Sequence, residues 1–147
     1  MEKSIKLSQI MPVVEEKLKT GGTVVIPIRG TSMLPLLHEG RDTVVLTAVS
    51  GRLKKFDLPL YRRKNGTFVL HRVVGTDEKG YVMCGDNQWV REKGVEDGQL
   101  IGLVCEINRN GKKIDVNSFR YKSYCRFWYM LLPVRKYIVK IRGKLRK

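Results

Sequence analysis

The chain has 147 residues, of which 42% are hydrophobic and 29% charged, so it can bury one core and is not disordered by composition. Its three cysteines, Cys84, Cys105 and Cys125, are odd in number and far apart, and only two histidines accompany them; a disulfide framework or a clustered metal-ligand set is therefore not expected, nor is a cofactor. The formal net charge is +15, and ten of the 29 basic residues fall between Phe119 and Lys147, a stretch without acids, which points to a tail with its own anionic partner.

Residues 3–19 read as a short amphipathic helix. Ile5, Leu7, Ile10, Val13, Val14 and Leu18 mostly keep helical spacing, and Gly21-Gly22 would stop it, with Pro12 weakening its first half. Charges interrupt every apolar run here before it reaches the length of a signal-peptide core. No stretch approaches the roughly 20 apolar residues that span a bilayer; the longest is FWYMLLPV, residues 127–134. The expected location is cytoplasmic, with peripheral contact at the inner face of the membrane as the further option.

After Gly22 the pattern changes to short runs rich in β-branched and aromatic residues: 23–29, 43–49, 58–63, 67–75, 81–85, 100–107 and 112–116. Gly40, Asn65-Gly66, Lys79-Gly80 and Asn110-Gly111 separate most of them. Such spacing predicts a mainly β fold, an antiparallel half-barrel or sandwich, and not an alternating α/β sheet. From Phe119 helix returns on both sides of Pro133, which either begins a second helix or kinks one long helix. The expected organisation is a β domain over 1–118, with helix 3–19 leading in, and a basic amphipathic helical tail over 119–147.

Three polar residues stand out among the strands. Ser32 lies in GTSMLP after the first run, on a turn that Pro35 keeps out of helix. A serine hydroxyl is a weak nucleophile without a neighbouring base, and alone this one reads as a turn residue. His71 interrupts the apolar run 67–75. A neutral imidazole, with an ordinary pKa of about 6.5, can take a serine proton, although a half-buried histidine bonded to backbone is the plainer reading. Asp86, in CGDNQ, could accept the second imidazole N–H and fix its tautomer; Gly-Asp-Asn is also ordinary turn chemistry. His38 reads as a solvated loop residue, Asp42 and Asp57 as structural turn acids, and Lys54 and Lys55 as a basic turn.

Taken in order, Gly30-x-Ser32-Met33-x-Pro35, Gly40-Arg41-Asp42, His71-Arg72-Val73-Val74-Gly75 and Gly85-Asp86-Asn87 resemble the signal peptidase I superfamily, which includes the LexA-like self-cleaving repressors. The resemblance spans about residues 23–107 and is to the histidine type, since many bacterial signal peptidases carry lysine at the position of His71. It implies a LexA-like β-rich catalytic fold and a serine endopeptidase that cleaves leader peptides or propeptides through an acyl-enzyme. Ser32 would be the nucleophile, His71 the general base and Asp86 its acidic partner. Gly30, Thr31 and Met33 would border the oxyanion site and substrate pocket, with the Ser32 N–H as one donor. Some members place a serine hydroxyl where this chain has Gly30, so one possible donor is missing.

The chain also departs from that family. The membrane-spanning anchor of the export peptidases and the DNA-binding domain of the repressors are not expected here. The tail combines ten cations with Phe127, Trp128, Met130, Leu131, Leu132, Ile138, Val139 and Ile141. Its apolar side either packs on the β domain or lies in the headgroup layer of an anionic membrane. Nucleic acid is not the expected partner, and the oligomeric state is left open. Two alternatives to the peptidase stand: an inactive fold that holds a peptide, or a basic regulatory protein related to the repressors that binds nucleic acid.

Overall fold

Met11, Val14 and Leu18 share one buried face of α1 (Leu7–Lys19) in the computed structural model, which describes residues 7–145. Residues 3–6 of the expected first helix lie outside the described residues. Among the described residues the strands are β1 (Val24–Pro27), β2 (Thr43–Thr47), β3 (Pro59–Arg62), β4 (Phe68–Leu70), β5 (Arg72–Asp77), β6 (Gly80–Cys84), β7 (Glu92–Val95), β8 (Leu100–Arg109) and β9 (Lys112–Asp115). Every pairing is antiparallel. The fold is mainly β, a curled half-barrel sheet with helices at both ends of the chain.

The ten-residue β8 is the spine of the larger sheet. The path runs β1-β2-β8-β3-β4, and β9 also pairs with β8. Register shifts opposite Val45/Leu46 and Leu60/Tyr61 leave Cys105 and Ile101 as extra residues, two bulges on β8 itself. Bulges bend a strand and raise its twist, which is how so short a sheet curls and brings its two edges round.

The run 67–75, expected as one strand, divides at His71. Phe68–Leu70 pairs with β3 in the larger sheet, whereas Arg72–Asp77 pairs with β6 in a smaller sheet of order β5-β6-β7. His71 is the residue at which the chain changes sheets, so its imidazole sits at a junction, not on a regular sheet face. Among the described residues three buried clusters fill the interior. One joins α1 to the larger sheet through Ile26, Leu37, Val44, Leu46 and Ile107; another lies between the sheets around Tyr61, Val73, Tyr81 and Met83; a third packs Val74, Val82 and Cys84 of the small sheet against Leu132.

The C-terminal residues form α2 (Phe119–Met130) and α3 (Leu132–Leu145). The Ser118 hydroxyl caps α2 by accepting the Tyr121 N–H at 3.3 Å. Leu131 joins the helices in right-handed helical geometry, and Pro133 is the second residue of α3, where a missing N–H is tolerated. Pro133 thus begins a second helix. Tyr121, Cys125, Trp128 and Leu132 are buried, so the inner face of this expected tail is part of the domain. Among the described residues no helix is long and apolar enough to cross a membrane.

Candidate active site

The serine-bearing turn is fastened at both ends. On one side Asp42 is fully buried and accepts the His38 N–H at 2.7 Å, the Asn110 N–H at 2.9 Å and Arg41 Nε at 2.8 Å. Burial alone would raise this carboxyl, but Arg41 and the two amides hold it down to about 2. Asp42 is therefore a structural acid that ties the loop to the β8–β9 turn, and Asp57 does a similar task by accepting the Lys54 N–H at 2.8 Å. On the other side the Asn87 N–H donates to the Ser32 carbonyl at 2.9 Å, and the Asp86 N–H points at Met33 Sδ at 3.5 Å.

Glycine is required at two places in this clasp. Gly30 has φ +74°, in the left-handed region where a side chain is strained. At Gly85 a Cβ would come within 2.6 Å of the Ser32 carbonyl oxygen. Gly30-Thr31-Ser32-Met33 and Gly85-Asp86-Asn87, far apart in sequence, are therefore one substructure. Thr31 is exposed, whereas Met33 is 3% exposed and belongs to the core. Among the described residues no hydrogen bond uses the Ser32 N–H.

His71 is buried, and burial together with the nearby Arg63 guanidinium pushes its pKa down to about 4. The imidazole is accordingly neutral at physiological pH and able to accept a proton. The Tyr61 ring meets it edge to face at 6.4 Å. Next to it the Tyr61 hydroxyl donates to Glu92 at 2.7 Å, and Arg63 grips the same carboxylate through Nε at 3.1 Å and a second guanidinium nitrogen at 3.0 Å. Burial would raise the Glu92 carboxyl, but Arg63 and Tyr61 hold it below the usual range.

Asp86 departs from the expected role. Its carboxylate accepts Arg72 Nε at 2.9 Å, a terminal Arg72 nitrogen at 3.0 Å and the Tyr124 hydroxyl at 2.7 Å. Among the described residues no hydrogen bond joins it to His71, although its charge still acts on the imidazole. Neighbouring side chains of an extended strand point to opposite faces, and Asp86 lies on the side of Arg72. Arg72 also donates to the Phe56 carbonyl at 3.0 Å and the Tyr121 hydroxyl at 2.8 Å, so the pair is a buried clamp between the small sheet and α2.

Ser32 and His71 open onto one cleft of ≈ 310 Å³. Ile26 and Pro27 of β1 form part of one wall, Phe68, Val69 and Leu70 of β4 form part of the other, and Met33 and Leu60 also line it. β1 and β4 are the two ends of the path β1-β2-β8-β3-β4, so the cleft lies at the mouth of the half-barrel. A second cavity of ≈ 490 Å³ shares Arg63, His71 and Gln88 with it and continues past Trp89 and Glu92 to Val139 of α3. His71 stands where the two meet.

The arrangement can offer a hydroxyl, a neutral imidazole and an unused backbone N–H within one strand-edged groove of mixed apolar and polar lining. Ser32, Met33 and His71 line one cleft, and the turn carrying Asp86 is fastened to the Ser32 turn through Asn87. Arg63, Glu92 and Tyr61 were missed, because Arg91-Glu92-Lys93 reads as a solvated charge run and nothing local ties it to residue 71. No family model matches the chain, and no curated protein matches it.

Proposed function

We propose that the protein is a serine endopeptidase of the signal-peptidase-like, LexA-like type. Ser32 attacks a peptide carbonyl as His71 takes its proton. The carbonyl oxygen, now negative, is met by the Ser32 N–H. His71 then returns the proton to the leaving amine, and water attacks the acyl-enzyme by the same route. The single observation that carries this reading is the shared cleft: the one serine and the one histidine singled out by motif line it together, with the histidine held neutral.

The groove also favours a peptide over a small molecule. Its walls are unpaired strand edges, and an extended chain laid between β1 and β4 would find backbone partners on both sides. The apolar residues Ile26, Met33, Leu60 and Leu70 suit a small or aliphatic side chain beside Ser32. A leader or propeptide cut after a small residue fits that chemistry. Orientation of His71 by a carboxylate is not part of this proposal, since the Asp86 oxygens are taken by Arg72 and Tyr124.

The test is covalent labelling with a fluorophosphonate, read by intact mass and peptide mapping. Wild type is expected to gain one adduct on Ser32, and Ser32→Ala and His71→Ala none, with each variant shown to be folded by a cooperative melting transition. Absence of an adduct on wild type, in detergent and vesicles as well as buffer, would contradict a catalytic role and leave the groove as a peptide-binding site.

A further inference from the structure

The inner and outer faces of α2 and α3 are sharply different. The inner face is locked to the domain. Trp128 Nε1 donates to the Asp86 carbonyl at 2.6 Å, and Arg135 donates to the Trp128 and Gln88 carbonyls at 2.6 and 3.1 Å. Arg142 reaches the Asn87 side chain, and Val139 lines the cavity beside His71. These contacts fix which side of the helices points away.

That outer side is apolar. Phe127, Met130, Val134, Tyr137, Ile141 and Leu145 recur at intervals of three and four residues, and their exposures run from 47% at Val134 to 81% at Leu145. Such spacing places residues of one helix on a single stripe. Single exposed apolar side chains need no explanation, but a stripe running from the last turn of α2 along the length of α3 does. Beside it lie the exposed Arg126 of α2 and Lys136, Lys140 and Lys144 of α3, the last three four residues apart, with no acid anywhere from Phe119 onward.

We propose that this face is a docking surface for an anionic lipid bilayer, on which the helices lie flat. An apolar stripe bordered by cations matches the two layers such a surface presents, acyl chains beneath and negative headgroups above. Aromatic Phe127 and Tyr137 suit the boundary between them. A purely electrostatic partner such as nucleic acid would leave six large apolar side chains in water. A second copy would set the lysine files against each other. Because Arg142, Val139 and the Trp128–Asp86 bond join the same helices to the walls of the cleft, docking would hold that cleft at a fixed attitude to the membrane. The inference does not depend on the peptidase reading.

Sedimentation of the full chain with vesicles tests it. The protein is expected to pellet with mixed phosphatidylglycerol–phosphatidylcholine vesicles and to remain in solution with phosphatidylcholine alone, the binding weakening as salt is raised. Met130→Glu with Ile141→Glu should reduce partitioning by about tenfold or more without changing the melting transition, because both side chains are exposed. Lys136→Gln, Lys140→Gln and Lys144→Gln together should weaken binding to anionic vesicles. Failure to pellet with anionic vesicles, or equal pelleting of the glutamate variant, would overturn the proposal. So would a dimer that the glutamate variant dissolves while vesicles go unbound, or duplex DNA binding that this variant leaves intact in a protein that ignores vesicles.

Discussion

At residue scale, the same forces that keep the His71 imidazole neutral leave a mark on stability. Burial and Arg63 hold its folded pKa at about 4, against an ordinary 6.5. Between those values the unfolded chain takes up a proton that the folded chain refuses. Stability is therefore fully present above pH 6.5 and falls as pH drops towards 4, by about 3 kcal/mol from this group. Urea midpoints measured across that range should slope for wild type and flatten for His71→Gln. Asp86 behaves differently. Removing one partner of a buried ion pair strands the other, so Asp86→Ala should cost about 3–5 kcal/mol in chemical denaturation. The sequence showed the chemistry of both residues but not their partners. Asp86 looked like a partner for His71 because the motifs stand in that order; Arg72, one position along, points to the other side and takes the carboxylate.

At the scale of elements, most strands were legible because β-branched runs and Asn-Gly or Lys-Gly turns mark them. β7 was not. Its sequence, Glu-Lys-Gly-Val, has no apolar alternation, and only pairing of Tyr81 with Val95 and Met83 with Glu92 makes it a strand. The division at His71 was equally hidden, since FVLHRVV is continuous in hydropathy and changes sheets for tertiary reasons. That division matters for substrate: it ends β4 as a free edge facing β1. If an extended peptide seats between them, its backbone amides carry the affinity. Methylating a backbone nitrogen of a seated residue should weaken binding about tenfold, roughly the loss of one backbone hydrogen bond, by isothermal titration. Equal affinity for the methylated peptide would argue against strand addition.

Over the whole molecule, the inner face of the helical tail, whose apolar side the sequence left free to pack on the β domain or to meet a membrane, is joined to the site. Trp128 holds the Asp86 carbonyl, the next residue Asn87 holds the Ser32 carbonyl, and Arg135 holds the carbonyls of Gly85 and Gln88. Basic composition marked residues 119–147 as a partner-binding tail; it could not reveal that alternate faces of the helices buttress the cleft. Trp128→Ala should accordingly cost about 3–5 kcal/mol in denaturant, a core loss and not a surface one. The proposed peptidase needs a serine activated by a neutral, buried histidine, and the pH dependence of fluorophosphonate labelling at Ser32 measures that most directly. The rate should hold steady down through pH 6 and fall with a midpoint near 4, the value set by His71, and vanish in His71→Ala. A midpoint near that of a lysine, or labelling that survives His71→Ala, would contradict it.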